Sequence, residues 1–299
     1  MTLSAIASST SKIRFGSSVL NYYTRNPASI ASSFLALSDL GAHSRIKTRE
    51  NKSSTSQRAI VGIGVGSKWN VSKFGITKRS GTIDQLREAI ESIIELFKGK
   101  EVTVKTDAFA IESVTLSRAR KNIPIYVGTS SVKGLEMAGE ISDGVILTDR
   151  IPDDVEEHMK PVILGLGYSS RAREDFVVVN SVVISVDSDR EKAKRAVRPT
   201  CAYLVAWLTN ETAEAHGIDV SIKERISQFI QAGDERSASK LVDDKMIELL
   251  TATGTVSDCV EKCREYLSQD LDQLAFCEPF GPDVEESIIT LSSKVIPRL

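Results

Sequence analysis

Short runs of β-branched and apolar residues alternate with longer amphipathic stretches along most of this chain. Six such runs lie at residues 13–19, 59–65, 123–127, 144–147, 176–186 and 271–277. The stretches between them place apolar side chains at helical spacing, as Leu86, Ile90 and Ile93 do within 82–98. Repeated strand–helix units predict a parallel sheet with right-handed crossovers, and uniformly apolar strands predict burial of both its faces.

Five helices and one hairpin complete the predicted order of elements. The helices span 27–40, 82–98, 132–142, 153–164 and 284–295, and the hairpin lies within 102–114. A polar stretch at 41–57 is predicted to be an exposed loop, and 188–267 a helical block with breaks near Gly217, Gly233 and Gly254. A doubly wound sheet and a barrel of eight βα units both satisfy this order, and the number of strands favours the open sheet.

Composition narrows the class of function. Of the 299 residues, 41% are hydrophobic and 26% charged, and the formal net charge is −2, which is ordinary for a globular protein. We expect neither nucleic-acid nor membrane partners, because the chain lacks a basic footprint and a long apolar run. The first residues lack the basic and apolar regions of a signal peptide, and the sparse cysteines predict a reducing, cytoplasmic compartment.

The cysteines are sparse and are interpreted as structural thiols. Cys259 and Cys263 are four residues apart on a predicted helix, but this spacing matches none of the usual zinc patterns. The three histidines lie in unrelated contexts, so no metal site is predicted.

One glycine-rich segment follows the strand at 59–65. Gly62, Gly64 and Gly66 are spaced G-x-G-x-G, and Ser67 and Asn70 come directly after them. A dinucleotide fingerprint needs G-x-G-x-x-G leading straight into a helix, which this segment does not provide. The glycines either allow a ligand to approach the backbone or allow close packing of strands.

A second segment joins the strand at 123–127 to the next helix. It contains Gly128, Thr129, Ser130, Ser131, Lys133 and Gly134. Its hydroxyls can cap the helix, and the free N–H groups there, with the lysine, favour an anion. A plain helix cap would look similar, and the order of a P-loop is absent.

A third segment, residues 16–27, ends a strand in small residues and continues through a polar and aromatic turn to Pro27. Together, these segments resemble the luciferase-like monooxygenase superfamily. The chain is more specifically similar to the methylenetetrahydromethanopterin reductases and related enzymes that use the deazaflavin coenzyme F420. The stretches that carry the resemblance are 16–27, 58–68, 74–76, 123–128, 138–146 and 280–283.

The resemblance implies a (β/α)8 barrel of the luciferase-like type and overrides the open sheet. Residues 1–299 would form one domain, with 41–57 as an atypical loop and 188–267 as a helical insertion before the last strand. Family members have two further βα units before the Gly16 strand, and their second strand carries an acidic residue that has no counterpart here. The expected alternatives are a truncated chain and a start codon assigned too late.

The resemblance also implies roles for individual residues. A non-prolyl cis peptide bond between Ser18 and Val19 would back the deazaflavin ring, and Asn21 would make a polar contact to the cofactor. The residues expected to line the same face are Gly64, Gly66, Ser67 and Asn70. The positions that hold the cofactor phosphate match Ser130, Ser131, Lys133 and Gly134, and Gly128 and Thr129 are also predicted to bind the cofactor. Many relatives are acidic at the position of Ser67, so no residue is assigned to acid–base catalysis.

The function implied is hydride transfer between reduced coenzyme F420 and a small organic substrate, with methylenetetrahydromethanopterin as the candidate. One alternative is an FMN-dependent monooxygenase of the same superfamily. Another is a truncated, catalytically silent paralogue that acts as a binding or assembly partner. By analogy with the family, a homodimer is expected.

Overall fold

The computed structural model describes residues 2–42, 58–67, 71–76, 82–117, 122–148 and 151–299. Most of the predicted 41–57 loop and the candidate site residue Asn70 therefore lie outside the described residues. The chain divides into two compact units, the first formed by Met1–Ile146 and His158–Val177 and the second by Leu147–Glu157 and Val178–Leu299. The interpretation of residues 1–299 as one barrel domain stays a prediction.

The first unit contains a parallel sheet and one hairpin. Its strands are β1 (Phe15–Gly16), β2 (Leu20–Asn21), β3 (Ala59–Gly64), β4 (Val102–Lys105), β5 (Ala110–Val114), β6 (Ile125–Gly128) and β7 (Gly144–Leu147). Strands β1 and β2 both pair in parallel with β3, which pairs with β6, which in turn pairs with β7. Strands β4 and β5 form the predicted antiparallel hairpin.

The strand predicted at 13–19 is instead two short strands separated by residues 17–19. The Ser17 hydroxyl explains the interruption, because it donates to the Gly62 carbonyl oxygen at 2.8 Å and lies 3.1 Å from the Gly62 amide, which donates to it. A side chain thus replaces the backbone hydrogen bonds that a continuous strand would make with β3.

The helices of the first unit alternate with its strands along the chain. They are α1 (Thr2–Ser9), α2 (Pro27–Ala42), α3 (Thr82–Phe97), α4 (Val132–Ile141) and α5 (Val155–Tyr168), which begins in the second unit. Helix α3 buries the predicted stripe through Leu86, Ile90 and Ile93, each fully inaccessible to solvent. It packs against α2 and α4.

Helices α4 and α5 cross with their backbones in contact. A Cβ atom on Gly139 would overlap the carbonyl oxygen of Val162, and one on Gly165 would overlap that of Glu136. Arg171 closes the end of α4 by donating to the carbonyl oxygens of Gly139 and Ser142. The position of α4 is therefore determined by backbone contact, with no side chain between the two helices at these points.

The second unit is built on β8 (Val177–Val186), a ten-residue strand whose first residue belongs to the first unit. Two strands pair with it in parallel, β9 (Ala252–Gly254) and β10 (Gln273–Phe280). Ser185 is opposite Thr253 on one side and Phe280 on the other, so β8 lies between its two partners. Strand β9 lies within the predicted helical block 188–267, at the break predicted near Gly254, where a strand was not predicted.

Seven α-helices follow within the described residues of the second unit. They are α6 (Arg190–Trp207), α7 (Asn210–Ala215), α8 (Val220–Gln231), α9 (Glu235–Lys240), α10 (Asp244–Leu250), α11 (Val256–Leu267) and α12 (Val284–Thr290). The predicted breaks near Gly217 and Gly233 are confirmed, and both glycines have positive φ. The final helix is shorter than predicted, because a π-helical turn replaces it at Leu291–Val295.

Carboxylates begin most helices of the second unit. The aspartates that accept hydrogen bonds from first-turn N–H groups are Asp189, Asp219, Asp234, Asp243 and Asp283. Helix α7 is capped by Thr209 and has Glu211 in its first turn, and α11 has a capping box between Thr255 and Asp258. Negative charge thus offsets the positive end of each helix dipole in this unit.

The parallel α/β architecture predicted from the alternating pattern is confirmed. In the part of the chain that the structure describes, no helix is both long enough and apolar enough to cross a membrane.

Candidate cofactor site at the strand ends

The carboxyl ends of four strands of the first unit form one row. Asn21 at the end of β2 is in register with Gly64 at the end of β3, Gly64 with Gly128 of β6, and Gly128 with Ile146 of β7. The three segments that the sequence singled out therefore meet at a single edge of the sheet. Ligands of parallel α/β sheets bind at this edge.

Val19 covers the two glycines in the middle of this row. Its Cγ1 atom would lie 2.8 Å from a Cβ on Gly128, and its Cγ2 atom 3.1 Å from a Cβ on Gly64. The peptide bond between Ser18 and Val19 is cis, as the resemblance implied. The glycines thus make room for the Val19 side chain, which becomes the surface presented at the strand ends.

Gly66 makes room for a different side chain. It has a φ of 69°, in the left-handed region that favours glycine, and a Cβ there would lie 3.3 Å from Asn21 Nδ2 and 3.0 Å from Val71 Cγ1. Ser67 is exposed at the end of this segment.

Asn21 is held by the turn that follows β2. Its Oδ1 accepts from the Thr24 amide at 2.9 Å and from the Thr24 hydroxyl at 3.0 Å. Thr24 was not among the residues predicted from the sequence, and neither was Ser17. A polar side chain three residues after an asparagine was the available signal for Thr24.

The start of α4 is capped by a neutral hydroxyl. Ser131 Oγ accepts from the Gly134 amide at 3.2 Å, and Ser131 lies next to the buried Thr129, whose Oγ1 is 3.5 Å from Ser131 Oγ. A Cβ on Gly134 would overlap Thr129 Oγ1, so glycine is required for both hydroxyls to fold over the first turn.

Two amides of this turn remain for a ligand. The N–H groups of Val132 and Lys133 occupy the first two positions of α4, which have no partner within a helix. Ser130, Ser131 and Lys133 are exposed beside them. The first turn contains no acidic residue that would repel an anion. Amide donors, hydroxyls and an ammonium group therefore lie together at the start of α4, and they are the donors that an anion such as phosphate requires.

The cysteines have no position in this row. Cys201, Cys259 and Cys263 are buried in the second unit, and burial raises the pKa of each thiol to about 12. They stay protonated at neutral pH, which agrees with their interpretation as structural residues.

The second unit has a separate cleft of about 300 Å³ that the sequence did not indicate. It lies at the ends of β8 and β9, beside the starts of α11 and α12, and its polar lining includes Asp187, Thr255, Asp283, Glu286 and Lys294. Asp187 and Asp283 both accept backbone N–H groups of the neighbouring turns.

The fold agrees with that of known proteins. The chain belongs to the luciferase-like monooxygenase family, which it matches over residues 1–42 and 53–273.

Individual proteins of known function are similar to this chain along most of its length. The 5,10-methylenetetrahydromethanopterin reductase of Archaeoglobus fulgidus is 30% identical over 301 residues, covering 99% of this chain and 86% of that protein. The coenzyme F420-dependent tetrahydromethanopterin reductase of Methanopyrus kandleri is similar in structure, with a TM-score of 0.86 at 28% identity, covering 99% of this chain and 86% of that one. An F420-dependent secondary alcohol dehydrogenase in complex with an F420-acetone adduct, 20% identical, shares the fold with a TM-score of 0.75, covering 98% and 82%.

Proposed function

We propose that this protein is an oxidoreductase that transfers a hydride between reduced coenzyme F420 and methylenetetrahydromethanopterin. The observation that carries the proposal is the likeness, along nearly the whole chain, to reductases that are named for this substrate. The geometry of the first unit supports it, because the row of strand ends offers an apolar surface, an amide and an anion site side by side.

The residues present fit such a cofactor. The hydroxyl-capped start of α4, with Ser130, Ser131 and Lys133, would hold its phosphate through amide, hydroxyl and ammonium donors. Val19 would lie against one face of the planar ring, and the half-buried Asn21 would bind its polar edge. Gly64, Gly66 and Gly128 would serve indirectly, by admitting Val19 and Asn21 to these positions.

When bound, the deazaflavin supplies the reactive carbon and the hydride. The chain's own contribution would be to orient the ring and exclude water from one face. Val19 performs this through its branched side chain, which leaves no space for water over Gly64 and Gly128. Orientation alone accounts for much of the rate of such a transfer, because it replaces a bimolecular encounter with a fixed geometry.

A fluorescence titration with oxidised F420 and, separately, with FMN tests the cofactor. We expect saturable quenching by stoichiometric protein with F420 and none with FMN, and F420-dependent reduction of methylenetetrahydromethanopterin by the same preparation. A preference for FMN would replace the proposal with the monooxygenase alternative. Absence of binding to either would favour a catalytically silent paralogue.

We also propose that the complete architecture is the eight-stranded luciferase-like barrel, formed as one domain, in a cytoplasmic homodimer. The all-parallel pairing of the strands outside the hairpin supports the barrel. The mass in solution by light scattering tests the homodimer, and the mass of a monomer would contradict it.

A further inference from the structure

The orientation of the Asn21 amide is fixed by its neighbour in the turn. An asparagine side chain can be rotated so that either its oxygen or its NH2 group faces a given partner. The Thr24 backbone amide can only donate, and it lies 2.9 Å from the Asn21 side chain. The oxygen must therefore face Thr24, and the Thr24 hydroxyl donates to the same oxygen at 3.0 Å.

The NH2 group consequently faces the other way, toward the strand ends. It lies 3.3 Å from where a Cβ on Gly66 would be, so the absence of a side chain at Gly66 gives it room. Within the described residues no hydrogen-bond acceptor lies opposite this NH2 group, and Asn21 is half-buried. Asn21 is also in register with Gly64, next to the surface formed by Val19.

We propose that Thr24 is a positioning residue: it holds the Asn21 amide so that the two N–H donors face the cofactor site, where they bind an oxygen or nitrogen acceptor on the edge of the cofactor ring. The inference rests on the proposed function for the identity of the ligand. It adds a residue that touches no ligand itself and a direction for the hydrogen bond, from protein to cofactor.

Three variants and one double variant test this role by the dissociation constant for oxidised F420. Thr24→Val keeps the shape and loses the hydroxyl donor, and we expect binding to weaken roughly threefold to tenfold, the usual value of one neutral hydrogen bond. Thr24→Ser keeps both donors and should bind within about twofold of the wild type. Asn21→Ala should weaken binding by roughly tenfold.

The double variant separates positioning from an independent structural role. In the Asn21→Ala background, Thr24→Val should cause no further loss of binding, because there is no amide left to orient. A full additional loss in that background would overturn the proposal, and so would wild-type binding by Thr24→Val or equal losses for Thr24→Val and Thr24→Ser. Thermal unfolding of the ligand-free variants identifies any loss that comes from misfolding.

A measurement without cofactor keeps the inference separate from the proposed function. The side-chain NH2 resonances of Asn21, assigned by their loss in Asn21→Ala, should shift in Thr24→Val and stay in place in Thr24→Ser. Unchanged resonances in Thr24→Val would overturn the positioning role of the Thr24 hydroxyl even if F420 binds, because the variant retains the Thr24 backbone amide. Failure of the wild type to bind F420, with the shifts as expected, would overturn the proposed function and the ligand of Asn21 while retaining the orientation.

Discussion

Helix α4 of the first unit begins differently from the helices of the second unit. In the second unit every described helix has a carboxylate at its cap or in its first turn. In the first unit, α4 begins with the Ser131 hydroxyl, has no acidic residue in its first turn and carries Lys133 there. A carboxylate cap satisfies the helix dipole within the protein, whereas a hydroxyl cap leaves that positive end for a ligand. The comparison supports the proposal that the start of α4 binds the cofactor phosphate, whereas the carboxylate-capped helix starts of the second unit only stabilise their helices.

We expect the two units to differ most in how much stability they lose in alkaline solution, because all four cysteines lie in the second unit. Burial raises the pKa of the Cys201, Cys259 and Cys263 thiols from 9.0 to about 12. A pKa raised by folding gives stability that is complete below the unfolded pKa and is lost as pH rises toward the folded one. Urea unfolding should therefore show a loss of several kcal/mol between pH 9 and 12.

A local probe assigns that loss to the second unit. The chain has two tryptophans, so in Trp69→Phe the emission comes from Trp207 in α6 alone. Replacing the three buried cysteines by alanine should flatten the alkaline slope seen by Trp207. The explanation is wrong if the slope is the same without the thiols.

The second largest effect is expected from Gly128→Ala, which should destabilise the packed strand ends of the first unit. The added methyl group would lie 2.8 Å from Val19 Cγ1, closer than such atoms approach, and we expect a loss of ~1–3 kcal/mol in urea unfolding. Gly167→Ala in α5 is the matched control, because a methyl group there meets no atom within 4 Å and alanine favours a helix.

Val19→Ala combined with Gly128→Ala should recover part of that loss, since it removes the methyl groups that collide. Additive losses in the double variant would contradict the contact described above.

Giving α4 the kind of cap found in the second unit should separate stability from binding. Ser131→Asp retains a side-chain acceptor for the Gly134 amide, so the thermal midpoint should stay close to that of the wild type. F420 binding should weaken roughly thirtyfold, or ~2 kcal/mol, because the carboxylate repels the phosphate.

The converse exchange in the second unit, Asp219→Ser at the start of α8, is its control. It should leave F420 binding unchanged and cost less than ~1 kcal/mol of stability. Wild-type affinity in Ser131→Asp would show that no anion binds at α4.

The smallest effect is expected from Lys133→Ala. An exposed ammonium contributes modestly to anion binding, so affinity for F420 should fall about fivefold and depend less on salt. Lys192→Ala removes an exposed lysine from the first turn of α6 and should leave the affinity for F420 and its dependence on salt unchanged. Equal losses in the two variants would indicate a general effect of net charge.

Much of the structure of the first unit could be predicted from the sequence, because the sequence patterns that determine it involve residues close together in the chain. The stripe of α3 and the hydroxyl cap at Ser131 each depend on residues close together in the chain, and the resemblance to a known family brought the three segments to one edge. The cis bond between Ser18 and Val19 came from the resemblance alone.

The missed features depend on distant partners or on very short elements. Ser17 interrupts a strand by bonding to Gly62, which is 45 residues away. Strand β9 has three residues, too few for an alternating pattern, and it is defined by its parallel pairing with the end of β8. The side chain at Thr24 has no pattern of its own, and its role depends on the rotation of another side chain.

The crossing of α4 and α5 has a consequence for how this protein can change in evolution. Ser131 lies eight residues before Gly139, or about 12 Å along the helix axis. Because backbone meets backbone at Gly139 and Gly165, any larger residue there displaces α4 as a rigid rod, and its capped end moves with it. Laboratory selection for altered cofactor affinity should therefore recover substitutions at this crossing, in positions that no ligand contacts.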